Sequence, residues 1–299
     1  MGDDMKVGDD KKKTYTEEHP NGRLPADGTG KVVSRPGRFR AYARLFRIIL
    51  RTNLRAAAEY RGNFLIQVFG MALNNGAFLF FWSILLERTG DLGGYGIQQI
   101  LFLWGVGAAS FGLGHIVFGN TRQIGRIILT GGLDVYLLQP KDVLLNLVCS
   151  RTDLSAWGDL LFGLLVFGYL GWGNPAQFLL LLGFTISGAL VYMSVFTIME
   201  TLTFYLGNSS ALSRSVTELM LTATLYPETI FGTGLRWMFY SLIPTAFIVF
   251  IPLRIFESLN WTLLPLVMAA ALGYTVLAWL FFQRGLRRYE SGNLVGGRV

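Results

Sequence analysis

The sequence predicts an all-α integral membrane protein with six transmembrane helices, an N-terminal amphipathic interfacial helix and both termini in the cytoplasm. Three observations carry this. Of 299 residues, 52% are hydrophobic and only 15% charged, against roughly 25% charged in soluble proteins. Six apolar stretches approach the ~20 residues that cross a hydrocarbon core. The basic residues cluster on alternate connections between those stretches. Mean hydropathy is +0.44, and a soluble chain of this composition would expose apolar surface that water penalises.

Residues 1–36 are dense in charge, Gly and Pro and poor in large apolar groups. Such a segment buries too little surface to offset its ordering entropy, and it lacks the apolar core of a signal peptide. It is expected to be a disordered cytoplasmic tail. Next, Arg40, Arg44, Arg47, Arg51 and Arg55 recur at helical spacing, which places five guanidinium groups on one face. Phe46, Ile49, Leu50 and Leu54 fill much of the remainder. An interfacial helix on the cytoplasmic leaflet, with its arginines near anionic lipid, is the expectation.

The six spans are Phe64–Leu86, Ile100–Phe118, Ala156–Trp172, Phe178–Thr203, Leu235–Pro252 and Leu263–Phe282. The connection after the second carries Arg122, Arg126, Lys141 and Arg151; the one after the fourth carries Arg214; the C-terminal segment carries Arg284, Arg287, Arg288 and Arg298. The opposite connections hold only Arg88 and Arg254. The positive-inside rule then puts both termini in the cytoplasm. The net charge of +7 follows from this topology, with no interleaved aromatic pattern that would point to nucleic acid.

Span 2 crowds Gly105, Gly107, Ala108, Ala109, Ser110, Gly112 and Gly114 into ten positions. Small residues allow close helix approach, either at a pore or subunit contact or in ordinary packing within the subunit. Between spans 2 and 3, Thr121–Thr130 reads as a short amphipathic helix with Arg122 and Arg126 one turn apart and Gly131-Gly132 as its left-handed stop. An apolar string, Leu133 to Pro140, follows on the cytoplasmic side. It wants a protein partner or the bilayer surface.

Several chemistries are excluded. Ser110 and His115 share span 2, but five residues at about 100° each set them about 140° apart. Ala108 also stands where a nucleophile elbow needs Gly. Gly30-Lys31 is followed by Val32 rather than the Ser or Thr of a phosphate loop, so energy for transport must come from a partner or an ion gradient. One cysteine, Cys149, and two histidines supply no metal cluster. Polar groups inside spans are the candidate substrate path: Asn74 and Asn75 in span 1, Asp159 in span 3 and Glu200 near the cytoplasmic end of span 4. An ion-coupled carrier or channel with no ATPase partner is the alternative class. It is weakened because Pro244 in span 5 has no counterpart in spans 1–3.

The string Gly132-Leu133-Asp134-Val135-Tyr136-Leu137-Leu138-Gln139-Pro140 resembles the GxLDxYLLxP segment of ABC type-2 exporter permeases, in the branch that includes viologen-exporter-like subunits. Residues 284–291 are similar to that branch's closing RGLRRYxS, and Ile243-Pro244-Thr245-Ala246-Phe247 with Pro252 to its IPxAF…P pattern. The resemblance runs from about Arg38 to Asn293 and implies a permease domain over 37–299. It implies Thr121–Thr130 as a cytoplasmic coupling helix, with Arg122, Arg126, Ile127, Gly131, Leu133 and Asp134 engaging two copies of a separate ATPase. ATP and Mg would bind that ATPase, and no cofactor this chain. It further implies a second permease subunit, the same or related, and export from the cytoplasm across a bacterial inner membrane, as in multidrug efflux. The short connection from Leu253 to Asn260 leaves no large external domain. Small hydrophobic or cationic compounds, or lipid-like molecules, remain as substrates.

Overall fold

The computed structural model describes residues 61–289, except 140, 172–173 and 260, together with residues 47, 48, 51 and 52. Arg47 and Arg51 are helical and exposed. Arg40, Arg44, Arg55 and the 1–36 tail lie outside the described residues.

The helices are α1 (Arg61–Thr89), α2 (Ile97–Val117), α3 (Ile124–Leu129), α4 (Asp134–Leu137), α5 (Val143–Cys149), α6 (Ala156–Leu170), α7 (Pro175–Thr201), α8 (Thr203–Leu206), α9 (Ser210–Leu225), α10 (Thr233–Phe239), α11 (Phe250–Ser258) and α12 (Leu264–Leu286). Among the described residues the only extended pairing is one bridge, Leu92 with Tyr95. Four helical segments are long and apolar enough to cross a membrane: α1, α2, α7 with α8, and α12 with the turn before it. They contain the first, second, fourth and sixth predicted stretches almost entirely. The third predicted stretch becomes α6, apolar but only 15 residues long, about 22 Å against a hydrocarbon core of ~30 Å.

The fifth predicted stretch, Leu235–Pro252, is corrected. It is not one helix but α10, a turn through Pro244, a 3-10 turn at Thr245–Phe247 and the start of α11. Pro244 has no N–H to donate and its ring crowds the preceding turn, so a helix ends before it. Pro252 falls in the first turn of α11, where a missing N–H is tolerated. Arg236 closes the loop ahead of this break. Its Nε donates to the carbonyls of Glu228 (3.0 Å) and Phe231 (2.9 Å), and its Nη2 to that of Thr229 (2.8 Å). The segment expected to be a cytoplasmic connection, around Arg214, forms α9 instead. Met220 and Ala223 of α9 enter the main core, whereas Arg214 and Glu218 stay exposed.

α2 sits at the centre. In its most apolar stretch 78% of residues are buried within the chain, against 6% for α1 and 17% for α12, so the latter two offer most of their surface to lipid or another chain. The small residues of α2 explain its position. A Cβ at Gly163 of α6 would stand 2.5 Å from the Ala109 Cβ and 2.6 Å from the Gly105 carbonyl oxygen. One at Gly112 would meet the Ala156 carbonyl and the Leu160 amide at 2.7 Å. Gly105, Ala109 and Gly112 therefore serve packing within the subunit, as close-approach positions do. Gly107 and Ala108 instead border a cavity.

Candidate functional site

The connection between α2 and α6 builds a short anchored element, residues 121–130, called the lever for the role the resemblance implies. Thr121–Gln123 is one 3-10 turn leading into α3. The buried side of α3 is Ile124 and Ile128, packed with Leu133, Leu144, Leu147, Val148, Cys149 and Phe282. Its other side exposes Arg122, Arg126 and Leu129, with Ile127 half-buried. Gly131, at φ +73°, supplies the left-handed residue that ends the helix. Its N–H donates to the Ile128 carbonyl (3.3 Å), and the Gly132 N–H reaches back to Ile127 (2.9 Å), a Schellman stop that satisfies two orphan carbonyls.

The lever is tied down on two sides. Before it, the Asn120 side chain donates to the Leu147 carbonyl (3.0 Å) and to Ser150 Oγ (2.8 Å), and the Asn120 N–H to the Val148 carbonyl (3.2 Å). On the other side, Glu200 at the end of α7 accepts the Gly125 N–H on Oε2 (2.9 Å) and the Ser213 hydroxyl on Oε1 (2.5 Å). Glu200 thus holds backbone and hydroxyl, and among the described residues it makes no ion pair with Arg151 or Arg214. The one ion pair among them, Arg254 with Glu228, lies at the far end of the bundle.

Of the residues expected to meet an ATPase, Arg122 and Arg126 are exposed, and Gly131 caps the lever. Asp134 accepts a hydrogen bond from the Tyr289 hydroxyl (3.0 Å). Leu133 is fully buried and anchors the lever rather than facing outward. Val135 and Leu138, in the apolar string expected to seek a partner or the bilayer surface, are 64% and 87% exposed. Which residues of that string face outward was not readable from its period, which is neither helical nor extended.

Burial in the anchoring cluster pushes the Cys149 thiol up to about 12, away from the thiolate that reacts with maleimide. Maleimide at neutral pH is therefore expected to leave the native chain unlabelled while labelling the denatured chain fully, as intact-mass measurement would show.

Two cavities lie among the helices, and the larger opens beside the lever. The larger, about 950 Å³, lies between α1, the lever, α7 and α9. It is lined by Arg122, Arg126, Arg151 and Arg214 with Glu200 and Glu218. The smaller, about 310 Å³, lies deeper between α1, α2, α6, α7 and α9. Phe111 and Leu221 form part of both walls. In the smaller cavity Asn75 donates to Asp159 Oδ1 at 2.7 Å, both side chains being buried. Phe78 and Trp104, lining the same cavity, stack with ring centroids 4.9 Å apart. Asn74, exposed, lines the same cavity. The structure so brings Asn74, Asn75 and Asp159 together and sets Glu200 apart, at the lever.

A family model for the ABC-2 family transporter protein matches residues 72–293. No curated protein and no solved structure matches. The matched region takes in the lever, both anchoring contacts and nearly all the lining of the two cavities. The chain belongs to the ABC-2 family of transporter proteins, the membrane subunits of ABC transporters.

Proposed function

We propose that this chain is the membrane half of an ATP-driven exporter in a bacterial inner membrane. A separate ATPase, present in two copies, supplies the energy, and a second permease subunit, the same or related, completes the path. In this reading α6 and α9 are the third and fifth of six crossings, and both termini are cytoplasmic. The observation that carries it is the lever: a 3-10 turn and a six-residue helix clamped by a dedicated apolar cluster, capped at its end and exposing Arg122 and Arg126 at the mouth of the larger cavity. Val135 and Leu138, which follow it in the chain, are exposed as well. A short rigid element fixed to the bundle and bare on its outer side is suited to take force from a partner. ATP-driven closure of the ATPase pair would move it.

The substrate is a small hydrophobic or cationic compound, or a lipid-like one. The deeper cavity offers the aromatic faces of Phe78 and Trp104 beside the Asp159 carboxylate, a combination that attracts organic cations.

The test is affinity purification in mild detergent with mass spectrometry of co-eluting chains. A soluble ATPase should accompany the wild type and fall at least about ten-fold for Arg122→Glu with Arg126→Glu, a loss of about 1.4 kcal/mol or more in binding. Both residues are exposed, so charge reversal should leave folding unchanged. An ATPase retained at the wild-type level by the double variant would remove the lever from the interface. Its absence from the wild type would favour the ion-coupled carrier.

A further inference from the structure

The lever's force must reach the cavities, and α9 is one of the helices that border both: Ser213, Thr217 and Glu218 line the larger, Thr222 and Leu225 the smaller, and Leu221 the two together. Among the described residues, one side chain hydrogen-bonds to both the lever and α9, that of Glu200. Its two oxygens are divided between them. Oε2 takes the Gly125 N–H, one of the first-turn donors that a helix leaves without an internal partner. Oε1 takes the Ser213 hydroxyl. The approach is as close as it can be, because a Cβ at Gly125 would stand 2.7 Å from Oε2 and 2.8 Å from Thr203 Oγ1. The turn joining α8 to α9 is pinned at the same place by the contact between the Thr203 and Ser209 hydroxyls, 2.8 Å.

We propose that Glu200 is a positioning residue that transmits displacement of the lever to α9, and so from the ATPase to the cavity walls, rather than a ligand for substrate. The inference rests on the lever reading above. Hydrogen bonds to a carboxylate are short and strong, and a backbone N–H held by one oxygen and a hydroxyl held by the other leave little slack between the two helices. Movement of α3 then carries the end of α7 and the start of α9 with it. Without the carboxylate, the lever would still be anchored by its apolar cluster and by Asn120, and would move without α9.

Hydrogen exchange with mass spectrometry on the purified complex, with and without ATP and vanadate, separates the two. In the wild type, nucleotide trapping should alter exchange in peptides covering both 121–130 and 210–225. In Glu200→Ala the response should persist at 121–130 and be lost at 210–225. Glu200→Gln should restore it, because the amide oxygen can still accept the Gly125 N–H while the amide NH₂ donates to Ser213 Oγ. A wild-type response at 210–225 in Glu200→Ala would overturn the proposal. So would a loss at both peptides in Glu200→Ala, since that reports a merely structural role. If the wild type brings down no ATPase, or shows no response at 121–130, it is the lever reading itself that fails.

Discussion

Gly163→Val is expected to prevent α6 from seating on α2 and to leave little monodisperse protein after extraction in detergent. The new Cβ alone would lie 2.5 Å from the Ala109 Cβ and 2.6 Å from the Gly105 carbonyl, and both obstacles belong to the most buried helix. Overpacking in a well-packed core costs about 1–3 kcal/mol when side chains can shift. Here one obstacle is backbone and the other a methyl group with no rotamer to change, so more than about 3 kcal/mol is expected. That is a large share of the 5–15 kcal/mol typical of folded domains. Gly168→Val, on the same helix with nothing within 4 Å of its added Cβ, is the control and should stay within about 0.5 kcal/mol of the wild type. Size-exclusion profiles and thermal midpoints of the two variants decide the matter: equal behaviour would mean that the α2–α6 seam is looser than described.

Asn75→Leu should be the second most damaging change. It strips the Asp159 carboxylate of its 2.7 Å donor while leaving it buried. A buried acceptor left without a partner costs about 1–3 kcal/mol, and more when it is charged; about 3 kcal/mol would lower the thermal midpoint on the order of 10 °C. Asn75→Leu combined with Asp159→Leu removes both partners and should recover much of the loss. A double variant no better than Asn75→Leu alone would show that shape, not the unpaired carboxylate, is responsible. Asp159→Asn keeps the shape and removes the charge. Unchanged resistance of cells to cationic compounds in that variant would dismiss the cation reading of the cavity.

The parts of the fold legible in the sequence were those with a local signal. Four long apolar runs became helices within a few residues of their expected ends. The lever between Thr121 and Thr130 and its stop at Gly131 followed from spacing and from glycine's access to positive φ. Two features had no such signal. α9 carries Arg214 and Glu218 on its exposed side, and those charges, with its many hydroxyl residues, made it read as a loop. Leu235–Pro252 had the composition of a span, but Pro244 governs local geometry more strongly than mean hydropathy does. At the candidate site, Asn75 and Asp159 were each visible as polar groups in apolar runs, yet their pairing spans 84 positions. Glu200 was equally visible. Its acceptors' partners, a backbone N–H 75 positions away and a serine on a helix not anticipated, were not.

The contrast between the α2–α6 seam and the lever's anchoring cluster has a consequence for temperature. With α6 read as a crossing, the seam joins apolar helices whose alternative surroundings are lipid tails, so burial from water contributes nothing to it; contact dispersion between closely set atoms does. The lever's cluster of Ile124, Ile128, Leu133 and Leu147, read as lying on the aqueous side, depends on expelling water, and that driving force weakens on cooling. Cold should thus loosen the lever on its seat while the seam keeps its grip, so that in the cold the subunit would lose its hold on the motor before it lost its shape.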